Sequence, residues 1–393
     1  MLKPTHAERS LYPPYKCIIT FAIFLCASLA TTRFSQGAPT LNAQAPAQTH
    51  EISAALSRLA DKAIEGGAPG VILRVDGPEG VFDHAAGVAK KRGRAPMAVG
   101  SPMRIASVTK TFVAATAVLA SKDGLIDLDQ PIDQYLASAD AETLGRAPFP
   151  TIRQLLGHRS GVRDYVDWRY YLLWDKRDAV TPGDALRLIK GRARTGDPGI
   201  KFDYSNTNYH VAALALEGAT RASHRELLRA RILNPLGLKN TSYPDEMAGE
   251  DPIHGYGGVL RPNRDVHYWR DAAGPDAGLR STAADLSVFL RALFSDGGAL
   301  KPVGDEMVGR ALENKMRYQM GLGLEITTVT QSGAVFLGHR GDIVGYLTAA
   351  YYAPATDRVI VAHMNAWKRP LFETLVDELM ALAQAPAPES ASQ

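Results

Sequence analysis

Arg104-Ile105-Ala106-Ser107-Val108-Thr109-Lys110-Thr111-Phe112 is the stretch that decides how this chain reads. A loop with Gly100 and Pro102 runs into an Ala- and Val-rich pattern that predicts a helix over Ile105 to Ser121. A serine and a lysine three positions apart on a new helix share one face, one turn apart. A serine hydroxyl is a weak nucleophile until a neighbouring base takes its proton, and a lysine desolvated between helices can have its pKa lowered enough to be that base. The helix N-terminus adds free N–H groups and partial positive charge, which suit an oxyanion. Ser107 and Lys110 form the one Ser-x-x-Lys of the 393-residue sequence. Alone, the same spacing fits a surface helix with an exposed lysine.

Two later segments belong with it. Tyr204-Ser205-Asn206 lies in a polar loop, Gly199 to Tyr209, ahead of a helix-like run from His210 to Ala219. His339-Arg340-Gly341 lies in Phe336 to Tyr346, with strand-like segments on both sides. Ser-x-x-Lys, Tyr-x-Asn and His/Lys-x-Gly in that order resemble the three-motif pattern of serine β-lactamases and penicillin-binding proteins. Tyr-x-Asn in second place is similar to the branch of class C β-lactamases, DD-peptidases and esterases. Gln154 to Gly161 and Gly278 to Leu286 carry supporting likeness, and the resemblance covers about residues 50 to 385.

The resemblance implies an α+β, β-lactamase/transpeptidase-like fold, in which an antiparallel sheet flanked by helices carries an inserted all-helical domain and the cleft lies between them. It implies that Ser107 forms an acyl-enzyme with Lys110 sharing the proton load, and that Tyr204 is the general base or the partner base of Lys110. A tyrosine is a poor base at neutral pH unless nearby cations favour the phenolate; Lys110 would be one, and a protonated His339 another. Asn206 would bond Lys110 and the substrate amide oxygen. The N–H groups of Ser107 and Asp342 would form the oxyanion hole, and Gly341 would give the substrate backbone room beside the strand.

Histidine at position 339 is closer to DD-peptidases, D-aminopeptidases and esterases of this group than to true β-lactamases. Arg340 can be read in two ways. It could grip a substrate carboxylate, or strand alternation could turn it from His339 towards Asp342 or Glu325. If Asp342 and Glu325 face the cleft, they favour a substrate with a cationic or neutral end. The expected function is hydrolysis of amides or peptides of D-amino acids without a cofactor, on a small-molecule or peptidoglycan-type substrate. The alternatives are a carboxylesterase of the same fold, a β-lactamase and a slowly turning penicillin-binding sensor.

Composition agrees with an enzyme and points to few other partners. Charged residues make up 22% and hydrophobic ones 46%, and the net charge is +3. No basic run interleaved with aromatics appears, so no nucleic-acid partner is expected. Lys3, Arg9 and Lys16 precede an apolar run from Cys17 to Ala30, which reads as a signal peptide over 1–30 and predicts export. Membrane attachment would come only through an uncleaved signal. Both cysteines, Cys17 and Cys26, fall in this segment, so a mature chain would carry no disulfide or thiolate. The bulky Leu25 argues against Cys26 as a lipid site. With scattered histidines and no His-Glu-x-x-His, no metal site is expected. The absence of Gly-x-Ser-x-Gly argues against an α/β-hydrolase.

Residues 31–50 read as a linker and 386–393 as a disordered tail. Between them Ile52 to Glu65 predicts a helix, and Gly70 to Val75 and Val81 to Val88 a strand pair. Residues 150–240 read as mostly helical. Ser281 is the expected N-cap of a helix over Ala283 to Phe294. Gln319 to Thr328, Ala334 to Leu337, Val344 to Tyr352 and Val359 to Asn365 predict strands, and Arg369 to Ala383 a closing helix. The mixed part would be about 51–100 with 281–385, and the helical part about 101–280. Aromatic side chains at Tyr165, Trp168, Tyr170, Tyr171, Trp174, Tyr268 and Trp269 are expected to pack mainly into core and loops, with one or two reaching substrate.

Overall fold

The computed structural model describes residues 44–384, apart from 174, 177, 247–250, 259–262, 270–273 and 310–317. The expected signal peptide, the linker up to residue 43, the whole tail and Trp174 lie outside the described residues, as does the side chain of Tyr171.

Eight strands form one sheet in the order β3-β2-β1-β10-β9-β8-β7-β6. They are β1 (Gly70–Gly77), β2 (Gly80–Lys90), β3 (Ala95–Pro96), β6 (Tyr318–Met320), β7 (Glu325–Thr328), β8 (Val335–Ile343), β9 (Tyr346–Ala353) and β10 (Arg358–Met364). Every pairing between them is antiparallel. A second pair joins β4 (Met103–Arg104) to β5 (Arg280–Ser281). The helices are α1 (Gln44–Glu65), α2 (Thr109–Lys122), α3 (Ser138–Leu144), α4 (Ile152–Leu156), α5 (Trp168–Leu173), α6 (Pro182–Ile189), α7 (Thr207–Thr220), α8 (His224–Leu228), α9 (Asn234–Leu236), α10 (Ala283–Phe294), α11 (Lys301–Val308) and α12 (Arg369–Gln384). Among the described residues no helix is long and apolar enough to cross a membrane.

The sheet is covered on both faces, which explains why β9 and β10 are apolar almost throughout. Alternate residues separate cleanly. Val71, Leu73, Leu347, Ile360 and Ala362 face the back, against Leu56 and Ala60 of α1 and Phe372, Leu375 and Leu379 of α12. Ile72, Tyr346, Ala350, Val359 and Val361 face the front and share one core with the central helices. Phe112 of α2 stacks on Phe289 of α10 within that core, their ring centroids 3.7 Å apart.

Several boundaries differ from expectation. Helix α1 begins at Gln44, inside the expected linker. The strand expected over Gln319 to Thr328 is two strands, β6 and β7, joined by a turn through Gly321 and Gly323, the latter at φ +68°. Strand β8 runs on to Ile343, so His339, Arg340, Gly341 and Asp342 all lie within it. Thr282 rather than Ser281 caps α10. The Thr282 hydroxyl accepts from the Asp285 N–H at 3.1 Å, while Ser281 belongs to β5.

Candidate active site

Ser107 lies in a 3-10 turn, Ala106–Val108, and α2 starts two residues later. Ala106 has φ +48°, a left-handed conformation that costs a non-glycine residue about 1–2 kcal/mol. Its surroundings hold it there. The Ile105 N–H donates to the Leu279 carbonyl at 2.9 Å, and the Leu279 N–H donates to Thr109 Oγ1 at 3.0 Å. Across the turn lies Gly341 of β8. A Cβ on Gly341 would stand 2.1 Å from the Ile105 carbonyl oxygen and 3.0 Å from Ala106 Cβ. The glycine therefore makes room for the chain's own nucleophile turn.

Lys110 follows one turn on and is fully buried. Its Nζ lies 3.1 Å from Ser107 Oγ, 2.8 Å from Asn206 Oδ1 and 2.8 Å from the Asp276 carbonyl oxygen. The last two can only accept, so two N–H groups of Lys110 are fixed towards them. The third position, towards Ser107, holds an N–H when the lysine is charged and a lone pair when it is neutral. Burial pushes Lys110 down to about 8, against the opposing pull of Asp276, Asp164 and Glu325. The Asn206 amide is oriented by Asp164, whose carboxylate accepts from Asn206 N and Nδ2, both at 3.1 Å. Burial raises Asp164 to about 6.

Tyr204 donates its phenol to Ser107 Oγ at 3.2 Å. Its ring stacks on His158, centroids 4.0 Å apart, and His158 Nδ1 accepts from the Ser205 N–H at 3.1 Å. The expectation of a Tyr204 pKa lowered by two cations fails. Burial pushes the phenol well above the ordinary tyrosine value, against the hydrogen bond to Ser107. His339 supplies no charge either, because burial, with Lys110 beside it, pushes the imidazole down to about 3.

The two-residue period of β8 sorts the third motif. His339 and Gly341 face the front, and Arg340 faces the back, where Nη1 pairs with Glu373 Oε2 of α12 at 2.7 Å. Arg340 is thereby corrected as a substrate-binding residue: its guanidinium pairs with Glu373 and not with Asp342, while Glu325 meets its backbone N–H. His339 is buried, with Nδ1 on the Arg340 carbonyl and 3.8 Å from Glu325 Oε1. Glu325 does not face the cleft. It is buried, accepts from Tyr351, and burial lifts it to about 7. The Arg340 N–H bonds the Glu325 carboxyl, so the Asp342 N–H, two residues on, points from the same edge of β8. Pairing with β7 ends at Gly338, leaving that edge unpaired by β7 at Asp342.

Ser107, Asn206 and Asp342 open onto one cleft, walled by Tyr165, Tyr170, Trp269 and Trp367 among others. Trp168 of the same aromatic cluster is exposed, and Tyr268 bonds Arg264 Nη2. The Asp342 carboxylate is held by Trp367 Nε1 at 2.8 Å and by Arg369. Sequence reading missed Asp164, His158 and, above all, Asp276. The Asp276 carboxylate is buried beside His210 and Tyr165 while its carbonyl oxygen meets Lys110. Nothing in the local sequence announces these contacts, which join segments over 40 residues apart. One set among the described residues, His254, Asp265 and His267, brings metal-type ligand atoms within 4.8 Å of one another. Both histidines place Nδ1 on Asp265, each at 2.8 Å, and their rings stack at 11°. The two imidazoles thus satisfy the Asp265 carboxylate.

The sequence model of the Beta-lactamase family matches residues 53–385. A D-aminopeptidase of Brucella anthropi is 31% identical over 71% of this chain and 52% of its own length. Penicillin-binding protein 4* of Bacillus subtilis (strain 168) is 24% identical over 71% of the chain and 64% of its own length. The chain thus spans between half and two thirds of these relatives. Among solved structures, the D-amino acid amidase from Ochrobactrum anthropi SV3 with D-phenylalanine superposes with a TM-score of 0.74 at 24% identity, covering 85% of this chain and 99% of that one. A D-stereospecific amidohydrolase from Streptomyces sp. gives 0.70 at 24% identity, covering 83% and 97%. With three motifs meeting at one serine, an antiparallel sheet of the matching fold and a family match over most of its length, the chain belongs to the Beta-lactamase family.

Proposed function

We propose that the chain is a serine hydrolase that forms an acyl-enzyme at Ser107 and acts on amides or short peptides of D-amino acids. The observation that carries this reading is the placement of two proton carriers on one hydroxyl, with Lys110 Nζ and Tyr204 Oη at 3.1 and 3.2 Å from Ser107 Oγ. With its pKa near 8, about a tenth of Lys110 is neutral at pH 7, and the lone pair then faces the serine. In this reading Lys110 takes the Ser107 proton as Oγ attacks the acyl carbon. The carbonyl oxygen becomes an oxyanion bonded by the Ser107 and Asp342 N–H groups. Tyr204, kept as a phenol by burial, donates to the leaving nitrogen and is refilled from Lys110. Water then attacks the acyl carbon, returning the proton to Ser107 as the acid leaves.

The D-amino-acid preference is supported by the D-aminopeptidase relatives and by a cleft walled with aromatics. Neutral His339 supports an amide substrate over the carboxylate-bearing β-lactams. Export belongs to the same reading, on the basic residues and apolar run ahead of residue 31; a chain retained in the cytoplasm on fractionation would remove it.

Intact-protein mass spectrometry with a D-amino acid amide, a nitrophenyl ester and a fluorescent penicillin in parallel tests the whole. The expected result is turnover of the amide, with an acyl adduct that disappears in Ser107→Ala. Ester turnover with no amide product would move the substrate to esters. An adduct surviving in Ser107→Ala would remove the nucleophile.

A further inference from the structure

We infer that Asp276 and His210 form a positioning couple that sets the proton balance of Lys110; this rests on the reading of Lys110 as the base for Ser107. Asp276 does two things with one residue. Its backbone carbonyl accepts from Lys110 Nζ at 2.8 Å, and its carboxylate is fixed by His210 Nε2 at Oδ1 and by the Tyr165 hydroxyl at Oδ2, both at 3.0 Å. The carboxylate is 3% exposed and His210 is fully buried. The imidazole is closely packed. A Cβ on Gly274 would stand 2.4 Å from His210 Cε1, and the Tyr165 ring meets it edge-on at 5.2 Å. The carbonyl that bonds the lysine is therefore anchored through its own side chain to α7.

The couple also sets charge. Burial alone would raise the Asp276 carboxyl, but His210, Lys110 and the Tyr165 hydrogen bond outweigh it and hold Asp276 below its ordinary value. The anion so maintained is the largest influence keeping Lys110 protonated against burial. The other titratable groups that face Lys110 are Asp164, Glu325, His339, His158, Tyr204 and Tyr209. Of the carboxyls among them, Asp164 and Glu325 are pushed up to about 6 and 7 and so carry less constant charge near neutrality. Asp276 is the fixed one. Removing its charge favours neutral lysine, so the base is available at lower pH. Removing His210 lets burial raise Asp276, weakens the anion and moves the balance the same way by a smaller amount.

Two readouts test this in the full chain. The first is NMR titration of the Lys110 side chain, its resonance identified by its loss in Lys110→Arg; this reads the lysine whether or not Ser107 does chemistry. The second is the pH dependence of Ser107 labelling by a fluorophosphonate. Asp276→Asn, which keeps the shape and the backbone carbonyl, is expected to move both midpoints down by roughly 1 pH unit. His210→Phe is expected to move them down as well, by less. Thermal melts report whether each variant folds; should Asp276→Asn fail to, His210→Phe alone carries the test. Midpoints unchanged in folded variants, or moved up by either, would overturn the couple. So would labelling depressed at every pH with its midpoint in place, which is the mark of mere packing. Failure of wild-type Ser107 to label, with the NMR shifts present, would instead remove the base assignment and leave the couple standing.

Discussion

Two buried cations of this molecule are held in opposite ways. Arg358 of β10, 1% exposed, meets a carboxylate directly: Nη2 and Nε bond Glu79, and Nη1 bonds the Ala383 carbonyl. Burial would raise Glu79, but Arg358 outweighs it and the carboxyl stays below its ordinary range. Lys110, fully buried on the front of the same sheet, bonds a hydroxyl, an amide oxygen and a peptide oxygen, none of them formally charged. The anion that acts on it most, Asp276, offers the lysine its backbone and turns its carboxylate to His210 and Tyr165. The difference teaches how one fold makes a structural cation and a reactive one. A direct carboxylate stabilises the charge at all working pH values. Neutral acceptors satisfy the hydrogen bonds while burial acts against the charge, and the proton becomes removable.

The largest test of that contrast is Lys110→Met. Loss of a general base typically costs about 100- to 10,000-fold, so Ser107 labelling by a fluorophosphonate should fall by that factor. No directly paired carboxylate is orphaned, so the thermal midpoint should hold or rise. A melt depressed as far as that of an Arg358 variant would break the comparison. Arg358→Met should do the reverse. It leaves the partly buried Glu79 without its cation and should cost about 1–3 kcal/mol in urea unfolding, while labelling per folded molecule stays at the wild-type rate. A milder contrast lies in pH. Below the Lys110 value of about 8 the neutral base becomes scarcer, so wild-type labelling should fall about tenfold per pH unit and level off above it. A profile flat from pH 6 to 9 would take the base role from Lys110. The smallest effect is expected at Arg340→Gln. Its pair with Glu373 lies on the back of β8 and is partly exposed, worth about 1 kcal/mol or less, and kcat/KM for amide substrates should not change. A marked rise in KM confined to carboxylate-bearing substrates would return Arg340 to the cleft.

What could be read from the sequence was whatever rests on short spacing. Ser107 and Lys110 share a turn, Tyr204 and Asn206 flank one residue, and the two-residue period of a strand already said that His339 and Arg340 part company. The fold class followed from strands at both ends and helices between. What could not be read depends on contacts across the fold. Asp276, Asp164 and His158 act on Lys110, Asn206 and Tyr204 from distant segments, and no local pattern links them. The Tyr204 expectation failed for a related reason. The motif shows which cations stand near the phenol, but burial, which dominates its pKa, is a property of the packed core. Gly341 was recognised as a place of close approach, yet only the fold reveals that the approaching chain is the Ile105-Ala106 turn.

The sheet order has a consequence for how the chain is made. Among the described residues β10 is the last strand in chain order, and it sits between β1, the first, and β9. Until Arg358–Met364 has left the ribosome, β1 and β9 cannot be joined, and each presents an open edge of unpaired N–H and C=O groups. The long-range pairing that closes the sheet thus waits for β10, with loop closure spanning every element between β1 and β10. A nascent chain arrested before Arg358 would hold two half-sheets with adhesive borders, and the nucleophile turn, which packs against β8 on the far half, would have no finished platform to rest on.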